Sequence, residues 1–372
     1  MTDPALPIAQ TPEQQAKIDK IRNVTQTLVS NPAAFEILKD ELFKLGFGIR
    51  KQVETTPFIE ITDPVRIANA QEGILLDCEA TGLDHGTDRV FQLGMIRIRY
   101  DSQGIISMGE RFDRLRDPGI PIPAEVTELT GYTDDMVAGK SISDAEVAEF
   151  IGGASKIIAH HAGYDRRMCE ASFPGAGFEA VRWDCSFEQV DWKARTMGGA
   201  KLELLALRMG FVYGSHDAFN DIQALAHVLG HEDVNGKSGF AEMHERGGEK
   251  SLQIVLDLKA MLGGSGYFPD INEKLKERKW VFSKDGSEAQ GRPKTWHRTI
   301  PETPADIEDE GAFLEDILRK KVALPAYRFD ALNRYSNRPP DAATFMRSSQ
   351  PENVIEALEQ HRGIDIAQTA GL

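Results

Sequence analysis

The stretch Gly73–Gly82, GILLDCEATG, places two carboxylates, Asp77 and Glu79, one residue apart at the end of an apolar run. The run predicts a short buried strand closed by a Thr81-Gly82 turn. Side chains alternate along a strand, so both acids share one face and Cys78 points to the other as a small core residue. Carboxylates on a buried strand are costly unless a cation compensates them. The same D-x-E spacing also occurs on exposed strands and turns, so the rest of the chain decides its meaning.

Working outward, residues 71–232 alternate between strand and helix patterns. Strands are expected at 73–79, 89–100 and about 105–113, with connections short enough to require an antiparallel meander. A helix near 142–152, the strand KIIAH at 156–160 and a helix from about Asp165 follow. A short strand near VRWDC and helices at 201–209 and 217–229 complete a mixed α/β domain with one sheet. Residues 1–70 form a helical N-terminal extension, in which Ala16, Ile18, Ile21, Val24, Leu28, Phe35, Leu38 and Leu42 recur at helical intervals. Glycine and charge accumulate over 233–250, which is expected to be a linker. Residues 251–372 are expected to be a small α+β region. It opens with the helix SLQIVLDLKAML and contains a β-hairpin in which KWVFS and TWHRTI flank KDGSEAQGRPK.

A length of 372 residues fits two or three such units. Hydrophobic residues make up 41% and charged residues 27%, no window approaches the uninterrupted apolar length of a membrane span, and no membrane partner is expected. The opening MTDPALPIAQTPEQQ has neither a basic start nor an apolar core, so no secretory signal is expected. Cys78, Cys169 and Cys185 lack metal-site spacing and are expected to be free thiols of a cytoplasmic protein. A net charge of −15 argues against a protein that coats nucleic acid. It leaves open an enzyme that acts on nucleic-acid ends.

Further candidate groups lie downstream. Asp165, in IIAHHAGYDRRM, follows an apolar strand near a helix start, where the helix dipole by itself favours an acid. His216 and Asp221 lie in GSHDAFNDIQALAHVLG, where Ala218, Ile222, Leu225 and Leu229 form the buried stripe of a helix ended by Gly230. Residues five apart do not share a helix face. His216 is therefore expected at or before the first turn, overhanging a site into which Asp221 points.

DCEATG, AHHAGYD and HDAFND, in that order, resemble the three motifs of the DEDDh 3′→5′ exonucleases, the group that includes the proofreading subunit of bacterial replicative DNA polymerase and ribonuclease T. PIPAEVTELTGYTDDMV and KLELLALRMGF resemble the segments between them. The resemblance implies a ribonuclease H-like fold with a five-stranded mixed sheet. It also implies metal-binding carboxylates at Asp77, Glu79, Asp165 and Asp221 and a general base at His216. Four carboxylates about 5 Å apart repel by about 3 kcal/mol per pair at an effective dielectric near 20. Two divalent cations remove that repulsion, and oxygen ligands favour Mg²⁺ or Mn²⁺. His216 can accept the proton of water near neutrality, so the rate is expected to rise with pH.

The implied activity is release of nucleoside 5′-monophosphates from a single-stranded or frayed 3′ end of DNA. The alternatives are an exoribonuclease of the ribonuclease T type and a non-catalytic nucleic-acid or polymerase-binding module. Candidate substrate contacts are Ala80, Thr81, Gly82, Thr130, Tyr132 and His161. The family usually has Thr at Ala80, Asn at His161 and His-Gly-Ile at Thr130-Gly131-Tyr132, so an altered nucleotide pocket is expected. The adjacent pair His160 and His161 faces opposite ways on a strand, which argues against a zinc site.

Two features lie outside the motifs. Basic residues cluster over 273–298 with Trp280 and Trp296 between them; either they contact a nucleic-acid strand or the tryptophans form a small core beneath a solvated basic face. Gln253–Leu258 faintly resembles the short motif that binds sliding clamps, so a polymerase or clamp is a candidate partner, weighed against an ordinary amphipathic helix.

Overall fold

The computed structural model describes residues 31–45, 51–52, 61–195, 197–264, 266–283, 294–320, 323–336 and 343–347, and single positions 17, 19, 20 and 23. Ala16, Ile18, Ile21, Val24 and Leu28, and the hairpin loop 284–293, lie outside the described residues. The chain divides into two units, one of Met1–Gln52 with Gly210–Val212 and one of Val53–Met209 with Tyr213–Leu372. In the first, helix Pro32–Lys44 is capped by the Asn31 side chain, and Lys51–Gln52 pairs in parallel with Phe211–Val212. Among the described residues no helix is long and apolar enough to cross a membrane.

The second unit holds two sheets. The first contains β1 (Gln71–Ala80), β2 (Val90–Tyr100), β3 (Ile105–Leu115), β4 (Lys156–Ala159) and β5 (Arg182–Cys185), in the order β3-β2-β1-β4-β5. The first three strands are antiparallel, and β4 and β5 are added in parallel. This is the mixed five-stranded arrangement expected of a ribonuclease H-like fold. Helix α1 (Asp144–Ile151) starts in a capping box between Ser143 and Glu146, which satisfies backbone donors at its first turn. It packs with α2 (Ala162–Ser172) around Ile74, Leu76, Cys78 and Ala80, the core-facing half of β1. Helix α3 (Leu202–Arg208) leads to α4 (Ala218–Leu229), in which Ala218, Ile222, Leu225 and Leu229 are all buried, as the sequence pattern predicts.

Gly94, opposite Asp77 on β2, lets the start of α4 approach the sheet. A Cβ there would stand 2.9 Å from the Ala218 carbonyl carbon. Gly94→Ala is therefore expected to destabilise the protein by about 1–3 kcal/mol, as overpacking does. Any activity that depends on Asp221 should fall too, because α4 carries that residue. A denaturant titration beside a cleavage assay checks both.

Residues Gly239–Gly247 form helix α5, with Phe240 and Met243 buried, inside the stretch expected to be a linker. The expected helix at SLQIVLDLKAML is strand over its first half: β6 (Ser251–Leu256) is the central strand of a second sheet, and only Leu258–Leu262 is helical. A short apolar run is ambiguous between the two by periodicity, and here it is covered on both faces. The rest of that sheet is β7 (Val281–Ser283), β8 (Thr295–Pro301), β9 (Ala323–Phe329) and β10 (Ala343–Arg347), in the antiparallel order β10-β9-β6-β8-β7. The clamp-like hexapeptide therefore lies mostly on a strand paired on both edges, which cannot serve as an extended docking peptide.

The β7–β8 hairpin forms as predicted. Trp280 and Trp296 are buried in the core that this sheet shares with α6 (Pro304–Leu318), and Trp280 Nε1 donates to the buried Glu310 at 2.8 Å. Arg278 and Arg298 pair with the same Glu310. The tryptophans are core, as the alternative reading has it, and are not a base-stacking platform. The segment that follows β9 packs against α2, where the buried Arg166 donates to the carbonyls of Leu332 and Arg334.

Candidate active site

Strand β1 outruns its neighbour β4. Parallel pairing covers only Ile74–Ile157 and Leu75–Ile158, whereas pairing with β2 continues through Asp77–Gly94, Cys78–Leu93 and Glu79–Gln92. The Cys78 N–H is thus available to another acceptor. It donates to Asp165 Oδ1 at 3.2 Å, and Cys78 Sγ lies 3.6 Å from the same oxygen. Asp165 comes from the first turn of α2 and is 2% exposed.

Asp77 and Glu79 are joined by Asp221 from the first turn of α4. One carboxylate oxygen of each lies within 4.8 Å of the others. Asp165 is not part of this triplet, because its carboxylate is held at Cys78, but it is close enough to act on its neighbours. Burial raises all four acids: Asp77 stands well above the usual carboxylate range through burial and then the charges of Asp165, Asp221 and Glu79. Burial and then Asp221 and Asp165 push Glu79 up to about 8. Asp165 is raised to about 7 by burial, opposed by its bonds from Cys78. Asp221 is raised to about 6 by burial, opposed by the hydroxyl of Tyr213, which donates to Oδ1 at 2.8 Å, and by His216. The other Asp221 oxygen, Oδ2, is buried with no hydrogen-bond partner among the described residues. A converging all-oxygen donor set with an orphaned carboxylate oxygen fits a divalent cation.

His216 immediately precedes Asp217, the N-cap of α4, and has a φ of +63°, in the left-handed region. That conformation sets it off the helix, ahead of the first turn as the sequence predicts. Its Nε2 lies 3.3 Å from Glu203 Oε1 of α3. The cap itself is held from the sheet. Asp217 Oδ2 accepts from Gln92 Nε2 at 3.1 Å and from the Tyr132 hydroxyl at 2.8 Å, and Gln92 Oε1 accepts the Ala218 N–H. Sequence reasoning missed Glu203, Tyr213, Asp217 and Gln92 as supporting groups. Only Gln92, a polar residue inside an apolar strand, gave a signal.

The expected substrate contacts are placed differently from one another. Ala80 and Thr81 are buried at 5% and 2% exposed, Ala80 in the core and Thr81 donating to Asp88 in the turn. A sheet-facing alternation puts Ala80 with Cys78, on the side away from the acids. Gly82 accepts the Tyr164 hydroxyl, and Thr130 bonds the backbone of its own helix. Tyr132 binds Asp217 as above. His161 is exposed at the N-cap of α2, beside Phe187. His160 is half-buried, its ring nitrogens bonded to Ser186 Oγ at 2.7 Å and the Ala200 carbonyl at 2.6 Å, and desolvation lowers it to about 4. It lies apart from the acids, and the pair follows the end of β4 instead of standing on the strand as expected.

Residues 74–229 match an exonuclease family model. A PolC-type DNA polymerase III from Bacillus cereus is 28% identical over 246 residues, 61% of this chain and 17% of that protein. One from Clostridium perfringens is 31% identical over 179 residues, 47% of this chain and 12% of that protein. The chain thus spans less than a fifth of the length of these relatives. Among solved structures, exonuclease X in complex with 5′-overhanging duplex DNA aligns with a TM-score of 0.32 and 16% identity, over 45% of this chain and 98% of that one. With the acids of DCEATG, AHHAGYD and HDAFND all inside the matched span, residues 74–229 are a domain of the exonuclease family, of the DEDD type.

Proposed function

We propose that this protein removes nucleotides from the 3′ ends of DNA, hydrolysing the terminal phosphodiester bond and releasing nucleoside 5′-monophosphates. The observation that carries this reading is the convergence of Asp77, Glu79 and Asp221 within 4.8 Å, with Asp165 behind them and His216 at the helix entrance. Asp77, Glu79, Asp165 and Asp221 would hold two divalent cations, Mg²⁺ or Mn²⁺. When bound, these supply neutralisation of the acids and stabilisation of the charge on the attacking and leaving oxygens. His216 takes the proton of the attacking water as its oxygen bonds to phosphorus and the 3′ oxygen of the preceding nucleotide leaves. Glu203 supports the imidazolium that results. Tyr213 keeps one Asp221 oxygen engaged and leaves the other for a cation.

DNA is the preferred substrate because the curated relatives are DNA polymerases, and a polymerase is a candidate partner. Buried free thiols at Cys78, Cys169 and Cys185 fit the reducing cytoplasm. Matched DNA and RNA strands labelled at the 5′ end and incubated with Mg²⁺ test the reading. The expected result is a DNA ladder shortened from the 3′ side. A ladder from RNA alone transfers the activity to the ribonuclease alternative, and an intact label on both leaves only a binding module.

A further inference from the structure

Between the two sheets of the second unit lies a cavity of about 720 Å³. It begins at His161 and Gly163, at the N-terminus of α2, and ends on the face of the second sheet that carries Gln253 and Thr299. Its charged lining is Arg167, Arg246, Lys250 and Arg334 against Glu188 and Glu249. A basic excess there runs against a chain charge of −15. Some of this charge is engaged, since Arg246 pairs with Glu242 and Arg334 donates to the Glu249 carbonyl. Phe329 and Tyr335 add aromatic faces.

Gln253 is the informative residue. It is 5% exposed, on the central strand β6, and its Oε1 has no hydrogen-bond partner among the described residues. Leu252, Ile254 and Leu256 take the other face into the core, so Gln253 is directed to the cavity side. A buried acceptor left unmatched is destabilising, and a nucleobase amino or imino N–H would satisfy it. The opposite end supplies the N-terminus of an 11-residue helix whose cap, His161, makes no side-chain capping bond. The first N–H groups of such a helix favour phosphate. Cations for phosphates with aromatic faces for bases are the composition of single-strand binding surfaces.

We propose that this cleft binds single-stranded nucleic acid upstream of the 3′ end, the strand passing from the acids along the first turn of α2 to the Gln253 face. Continuity supports this occupant, because His161 and Gly163 of the cleft lining and Asp165 of the acid cluster all stand at the cap and first turn of α2. The proposal rests on the exonuclease reading for the direction of the strand.

Equilibrium binding of a 5′-labelled single strand in EDTA, followed by fluorescence anisotropy across a salt series, tests it. Lys250→Glu is expected to weaken binding about tenfold and to make the slope of log K against log salt shallower by about 0.7, the loss of one phosphate contact. Glu249→Lys is expected to do the reverse, tightening binding several-fold and steepening the slope by about 0.7. A folding defect does not tighten binding, so the second variant keeps the test decisive. Wild-type affinity in both variants overturns the cleft, even where the wild type shortens the strand. A wild type that binds the strand, responds to both substitutions and leaves it uncut with Mg²⁺ overturns the exonuclease reading instead.

Discussion

His216→Ala is expected to lower the rate of 3′-end cleavage by about 10²–10⁴-fold, the usual contribution of a positioned general base, while leaving Mn²⁺ affinity close to that of the wild type. Its imidazole meets Glu203 rather than the carboxylate triplet, so removing it takes away a proton acceptor without removing a ligand oxygen. Asp221→Ala should behave otherwise and damage both cleavage and cation binding. It removes one of three convergent carboxylates and also leaves the Tyr213 hydroxyl without its acceptor. Calorimetric Mn²⁺ titration of both variants beside single-turnover cleavage separates the roles. Loss of cation binding in His216→Ala would refute the division of labour.

Glu79→Gln is expected to stabilise the cation-free protein and to abolish its stabilisation by Mn²⁺. Glu79 titrates at about 8 in the folded protein, against an ordinary value of 4.5. In the unfolded chain it ionises first as pH rises, so the folded state binds the extra proton and stability falls with increasing pH. The loss begins near the unfolded value and is complete once pH passes about 8. Asp165 and Asp221, raised to about 7 and about 6, act in the same direction over narrower windows. In EDTA the melting temperature of Glu79→Gln should therefore match the wild type near pH 4 and exceed it by several degrees near pH 8. This corresponds to a few kcal/mol. Added Mn²⁺ should reverse the order at high pH, because only the wild type offers the full set of ionised ligands. An unchanged difference from pH 4 to 8 would mean that the acids are not held together without a cation.

Much of the nuclease domain was legible because its signals are local. The alternation in GILLDCEATG, the apolar stripe of α4 and the punctuation by glycine and short turns each act within a few residues. The C-terminal region was less so. A short, mostly apolar run such as Leu252–Leu256 carries no period that separates a buried strand from a helix, and its state depended on β8 and β9 pairing to either edge. The fate of Trp280 and Trp296 likewise turned on Glu310, thirty residues from Trp280 in the chain and invisible to any local pattern.

The chain alone determined the local placement of the residues proposed for the site: Asp77 and Glu79 on one strand face, Asp165 and Asp221 at helix starts, and His216 ahead of its helix. Those placements follow from backbone periodicity, which neighbouring residues set. Tertiary structure decided that Asp165 is drawn to the Cys78 N–H while the other three acids converge. It also decided that Ala80 and Thr81 lie beneath the surface, and that Gln92 and Tyr132 fix the cap that aims His216. Contacts between residues far apart in sequence depend on how sheets and helices pack, and no spacing along the chain encodes them.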